Sequence, residues 1–438
     1  MDTYPAAKPE STPQAATSDP AQKPRPALAK PNNTGAAHTG TARAAHAYWS
    51  GVFAMSLCAF VLIASEFMPV SLLTPIAADL RVSEGQAGWG IGISGVFAVL
   101  TSLAVPRLAG QRDRRTLLLV LTAIMGASGA IIAFAPNYPV YMLGRALIGV
   151  VVGGFWSLSV AVAMRLVPLD QVPRAMAVFN GGNALATVLA APLGSYFGAL
   201  IGWRGVFLSL VPLAAATIIW QRLALPKLPS HAESKLAAPS AQTQGIFATL
   251  VGQRVVSFGM IAVGLFFMGQ FTLFTYVRPF LETVAQVSDP STLSLILLVV
   301  GAAGILGNAL ISGVLRRSLY AALVTIPILM ALLAGGLIGG GHLLALVVAL
   351  LGLWGMIGTA APVGWWSWLA QTLPKNAETG GALMVAVIQL AIGTGSFVGG
   401  LLFDGPGYRA TFGTAATLLL VAAAFSALTR RESRSSAK

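Results

Sequence analysis

The sequence predicts an all-α membrane protein, with twelve transmembrane helices in two six-helix halves. Three observations predict it. The chain of 438 residues is 56% hydrophobic and only 9% charged, where a soluble domain carries about 25% charged residues. So little charge cannot cover a surface facing water, whereas lipid asks for no polar cover. Twelve apolar runs follow one another, each long enough for the ~20 residues that a spanning helix needs. One polar linker, richer in proline and longer than the rest, divides them six and six.

In chain order, residues 1–47 are rich in Pro, Ala, Thr and Lys without apolar periodicity, and read as a disordered tail. The first apolar run comes after this tail, so it reads as a span and not as a cleaved signal. Spans are expected near 48–73, 85–109, 116–135, 138–166, 171–201 and 205–224, then near 254–280, 290–314, 319–339, 343–370, 377–402 and 408–428. The domains are therefore a tail (1–47), a first half (48–224), a linker (225–253), a second half (254–428) and a short tail (429–438). Two such halves resemble a duplication about an axis along the membrane normal.

Orientation follows from lysine and arginine. With both termini cytoplasmic, 22 of the 27 Lys and Arg lie in cytoplasmic segments and 4 on the opposite side, namely Arg81, Arg204, Arg278 and Arg409. Leaving out the long first tail, the ratio is still 17 to 4, which places both ends inside. The net charge of +13 comes in short clusters between apolar runs and does not read as a nucleic-acid surface. The single cysteine, Cys58, excludes a disulfide framework and a cysteine metal cluster.

Two opposite charges fall inside spans. Glu66 lies in the first span, ~10 Å from its outer end, and Arg145 lies about seven residues into the fourth, at a similar depth. A charge at bilayer depth costs at least ~2.5 kcal/mol, so both should face the interior or water. A carboxylate whose distance to an arginine changes between conformations can carry a proton, and Glu66 and Arg145 are the candidates for proton coupling. The plainer reading is a fixed ion pair. Glu378 and Asp404, at the ends of the eleventh span, read as solvated boundary charges.

Pro69, Pro192 and Gly194 are candidate hinge residues, since proline frees a carbonyl and glycine allows close approach. Phe155, Trp156, Asn180, Asn183, Gln270, Phe274, Tyr276, Trp354 and Gln389 fall near mid-membrane. Together they offer aromatic faces to stack on and amides to read an edge, which suits a flat amphiphile such as a nucleoside. Singly, each is explained as core packing or interhelical contact.

At this point the residues resemble the major facilitator superfamily, in particular its drug:proton antiporters. Leu143-Gly-Arg145-Ala-Leu-Ile-Gly149 is similar to that family's helix-4 motif, and Ala191-Pro192-Leu-Gly194-Ser195 is a variant of its helix-5 antiporter motif. The loop motif between helices 2 and 3 is degraded, with Pro106, Gly110 and Asp113 at its usual Gly, Asp and Gly, and only Arg114 and Arg115 kept. Glu66-Phe-Met-Pro-Val-Ser, Gly153-Gly-Phe-Trp156, Phe274-Thr-Tyr276-Val-Arg278-Pro279 and Val385-Ala-Val-Ile-Gln389 resemble the purine ribonucleoside efflux pump group. The resemblance implies inosine-like nucleosides exported in exchange for protons across a bacterial inner membrane, by a monomer.

No nucleophile–base pair, metal cluster or phosphate loop appears, so no enzyme, cofactor or metal is expected; the partners are a small molecule, protons and lipid. Efflux of sugars or drugs, an uncoupled facilitator and a non-transporting membrane receptor remain the alternatives.

Overall fold

The structure is a computed structural model and describes residues 47–110, 112–228, 253–373 and 377–435. The expected tail 1–47, except its last residue, and most of the linker lie outside the described residues. The helices are α1 (Trp49–Leu80), α2 (Glu84–Ala109), α3 (Arg114–Ala133), α4 (Tyr138–Arg165) and α5 (Val172–Ala224), then α6 (Arg254–Phe274), α7 (Val277–Thr283), α8 (Pro290–Arg317), α9 (Leu319–Gly340), α10 (Leu344–Thr372), α11 (Ala377–Asp404) and α12 (Tyr408–Ser435). There is no strand among the described residues.

Eleven stretches are long and apolar enough to cross a membrane. The stretch within α5 counts twice. A straight helix of that length would reach ~75 Å, against a hydrocarbon core of ~30 Å. Gly202 breaks it with φ 72 and ψ 162, a conformation that costs glycine little. The first arm packs along α1, with Gly182 on Ser56 and Gly198 on Leu72. Past the break Trp203 Nε1 donates to Asp79 at 3.0 Å. The second arm then returns along α3 until Arg115 donates to the Arg222 carbonyl. Twelve crossings result, six on each side of the linker.

Three boundaries differ from the sequence reading. Helix α1 runs on through Pro75 to Leu80 instead of ending near 73. The carbonyl that Pro75 leaves without a helical donor, Ser71, receives one from Arg278. Helix α12 continues to Ser435, since a helix leaving lipid tolerates charges such as Arg430 and Arg431 and need not stop at 428. The expected span 254–280 is broken at Thr275 and Tyr276, and α7 resumes beyond them.

Each half has its own apolar core. Tyr276 of the second half joins the first core, and Val70 and Ile91 of the first half join the second. This exchange marks where the halves touch. The main contact is α2 on α11, where Gly85 meets Gly400 and Asp404, Gly92 meets Gly393, and Gly95 meets the Gln389 carbonyl. The end of this seam at Gly85, Gly400 and Asp404 lies away from the chain termini and is called the far side below. Asp404 is therefore more than the solvated boundary charge expected. Its carboxylate accepts from Ser83 Oγ at 2.5 Å and from the Gly85 N–H at 2.9 Å, joining α11 to the first turn of α2.

Candidate functional site

The site begins with a proline. Pro69 has no N–H to give the carbonyl four residues back, Ser65. Arg145 Nη1 donates to that carbonyl at 2.9 Å. Its Nη2 reaches the Glu66 carbonyl at 3.1 Å and Ser94 Oγ at 3.2 Å, and its Nε reaches the Gly90 carbonyl at 3.0 Å. The fully buried guanidinium thus serves α1 and α2 through three backbone carbonyls and one hydroxyl. In a membrane interior such oxygens have no water to turn to.

Glu66 and Arg145 are neighbours, but their side chains form no ion pair within 4.0 Å. Glu66 Oε1 instead accepts from Gln389 Nε2 of α11 at 3.4 Å. Because α1 continues to Leu80, Glu66 lies near mid-helix, ~20 Å from the far end and not ~10 Å.

The next residue, Phe67, lines a cleft between the halves. Phe67 of α1 faces Thr187, Ala190 and Ala191 of α5, Gln270, Phe271 and Phe274 of α6, Leu297, Val300 and Gly301 of α8, and Trp354, Gly355 and Thr359 of α10. The space between them, open mouth included, is ≈ 730 Å³. Phe67 and Phe271 lie 5.7 Å apart, and Phe271 meets Phe274 edge-on at 6.3 Å. Two polar atoms on this wall, Gln270 Oε1 and Trp354 Nε1, are buried without a hydrogen-bond partner. No lining residue is ionisable. The wall is therefore an aromatic slot, with one unserved acceptor and one unserved donor buried among its residues.

Of the nine candidate binding residues, the structure brings Gln270, Phe274 and Trp354 to this cleft. Phe155 and Trp156 pack with Phe179 inside the first half. Asn180 is exposed and donates to the Met176 carbonyl at 2.9 Å, and Asn183 sits one turn below the cleft residue Thr187. Tyr276 is not at mid-membrane. It lies buried on the far side, donating to the Ser396 carbonyl at 2.6 Å and approaching the Gly85 carbonyl at 3.4 Å. Gln389 faces Glu66. Of the candidate hinges, Gly194 lies against Ser71 and Met68 of α1, and Pro192 and Pro69 both sit inside unbroken helix. Sequence reading missed Phe67, Thr187, Phe271 and Thr359. Phe67 adjoins Glu66, and Phe271 lies three residues before Phe274, so both signals were present.

The family profile described as Major Facilitator Superfamily matches residues 55–392, which span both halves. The chain belongs to the Major Facilitator Superfamily. Its relatives in this superfamily include a Pseudomonas aeruginosa protein named transcription regulatory protein OpdE, 59% identical over 383 residues, covering 87% of this chain and 94% of that one. The purine ribonucleoside efflux pump NepI of Salmonella paratyphi B is 40% identical over 377 residues, covering 86% and 92%. Among solved structures, a bacterial homolog of the human lysosomal transporter Spinster, inward-facing and unoccupied, matches 88% of this chain and 98% of that one, with a TM-score of 0.68 at 15% identity. That likeness supports the superfamily fold alone. The degraded loop motif has a local replacement: Asp113 caps α3 through the Arg115 N–H at 2.8 Å and holds the Leu228 N–H at 3.1 Å, tying the loop to the start of the linker.

Proposed function

We propose that this superfamily member exports purine ribonucleosides of the inosine type in exchange for protons. Glu66 carries the proton, Arg145 holds the α1 backbone around it, and the cleft beside Phe67 takes the nucleoside. Both termini face the cytoplasm of a bacterial cell, and the membrane is the inner one. The observation that carries this reading is the cleft wall. A purine offers a flat face to Phe67, Phe271 and Phe274, and its edge would serve Gln270 Oε1 and Trp354 Nε1, buried without partners among the wall residues, once those side chains turn toward the cleft. An uncharged wall favours a neutral substrate over an ionised one. The 40% identity to the Salmonella pump supports the same substrate class.

The test is counterflow in proteoliposomes with inosine, guanosine, arabinose and a drug panel, with and without a pH gradient. Inosine should compete and should move against protons. If arabinose or a drug competes and inosine does not, the substrate assignment fails. If transport survives collapse of the gradient, the chain is an uncoupled facilitator. Full gradient-driven activity in E66Q removes Glu66 as the proton carrier.

The relative named as a transcription regulatory protein favours a second reading, in which the cleft senses a solute without moving it. Saturable inosine binding without counterflow would support that reading against transport.

A further inference from the structure

Gln389 stands on α11 in the second half, and the carboxylate it reaches stands on α1 in the first. Both side chains are buried, at 8% and 4% exposure. Gln389 gives Nε2 to Glu66 Oε1 at 3.4 Å, while its own Oε1 is buried with no partner. An ionised carboxylate only accepts, so it cannot serve that oxygen. A protonated carboxyl both accepts and donates, and a primary amide is its complement: N–H to C=O on one edge, O–H to Oε1 on the other.

We propose that proton uptake by Glu66 completes a two-point carboxyl–amide pair with Gln389, and that this pair draws the far ends of the two halves together. Gln389 is then a positioning residue that converts protonation into closure. The proposal rests on the reading of Glu66 as proton carrier.

The surroundings favour it. Around Gln389 the halves meet backbone to backbone, Gly95 on the Gln389 carbonyl and Gly92 on Gly393. A small shift of α11 toward α1 is carried along the helix to the far contacts of Asp404 and Tyr276. From α4, Arg145 faces Glu66, with Tyr141 against the arginine. Among the described residues, the other helices packed nearby present no ionisable side chain to Glu66. The charged residues of α5, α6 and α8 stand at helix ends or at the α5 bend, as do Glu84 of α2 and Asp404 of α11, and Tyr196 of α5 is exposed on the outside of the bundle. The sign also fits an exchanger. A proton-loaded carrier must prefer one face and a substrate-loaded carrier the other. Here the proton favours the state closed on the far side.

The experiment uses the full chain in nanodiscs, with Cys58→Ala and spin labels at Arg81→Cys and Arg409→Cys on the far side. Distances are measured from about pH 5 to about pH 9. The parent should populate the shorter distance as pH falls. Q389M should reduce that pH-driven shift by roughly threefold or more. E66Q should hold the short distance at every pH, because its amide makes the same two-point pair, and E66Q with Q389M should lose it. Should Q389M not assemble, Q389N takes its place, since its shorter amide cannot span the gap. A full pH shift in Q389M or Q389N overturns the proposal. Gradient-driven exchange at the parent's rate in E66Q overturns the reading beneath it.

Discussion

Arg278 of the second half donates to the backbone carbonyl of Ser71 in the first. That carbonyl is available because Pro75, four residues on, has no N–H to give it. The same helix repeats the device one stage earlier, where Pro69 frees the Ser65 carbonyl and Arg145 serves it at 2.9 Å. One arginine acts within a half and the other across the seam. Arg278 also pairs with Glu282 at 2.7 Å, so its fork bridges a backbone and a carboxylate.

R278A should therefore lower stability by about 1–3 kcal/mol, the usual cost of leaving buried acceptors unserved. The melting temperature in detergent should fall, and the far-side label distance should lengthen at every pH. R278K should be only partly tolerated, because a compact ammonium does not reproduce a planar fork. An unchanged melting temperature in R278A would sink the idea.

R145K should fail for the same reason, more severely. Arg145 serves Ser65, Glu66, Gly90 and Ser94 from one rigid guanidinium. A lysine presents three donors from one point, and the loss should exceed about 3 kcal/mol. Membrane yield and gradient-driven counterflow should both collapse. Wild-type counterflow in R145K would contradict this account.

In the cleft, Q270L and W354F remove the unpartnered acceptor and the unpartnered donor while keeping an apolar side chain at each position. Each should raise the inosine KM about tenfold with the maximal counterflow rate unchanged, since one hydrogen bond contributes about 1–1.5 kcal/mol. W354F keeps an aromatic face, so a larger loss would place Trp354 in packing and not in recognition.

Two adjacent glycines in α5 should respond oppositely to alanine. A Cβ at Gly181 meets nothing within 4 Å, whereas one at Gly182 would run into the Ser56 carbonyl of α1. G181A should leave stability unchanged or raise it, and G182A should cost about 1–3 kcal/mol through overpacking. Thermal unfolding of the two variants checks the register of α5 on α1.

That Glu66 and Arg145 are neighbours was legible in the sequence, because charge is rare in these spans; that their side chains form no ion pair, and that Glu66 lies near mid-helix, was not. What pairs with the carboxylate was not legible. Gln389 follows Glu66 by more than three hundred positions, and an amide at mid-span is by itself explained as an interhelical contact. Tyr276 shows the opposite case. Counted along the chain it belongs to mid-membrane, yet the break before α7 carries it to the far seam, and that break depends on how Thr275 and Tyr276 pack. Phe155, Trp156 and Asn180 also looked central by depth alone, but depth does not report which way a side chain points.

The amino-acid sequence by itself determined the twelve crossings, their division into two halves and the identity of the buried charges. These follow from local quantities, namely run length, linker composition and the cost of charge in lipid. Tertiary structure decided which side chains face the cleft and which freed carbonyl meets which arginine. It also joined Glu66 to Gln389 across the seam. Those depend on the rotation of each helix about its axis, and apolar runs with no polar face leave that rotation open until the helices pack.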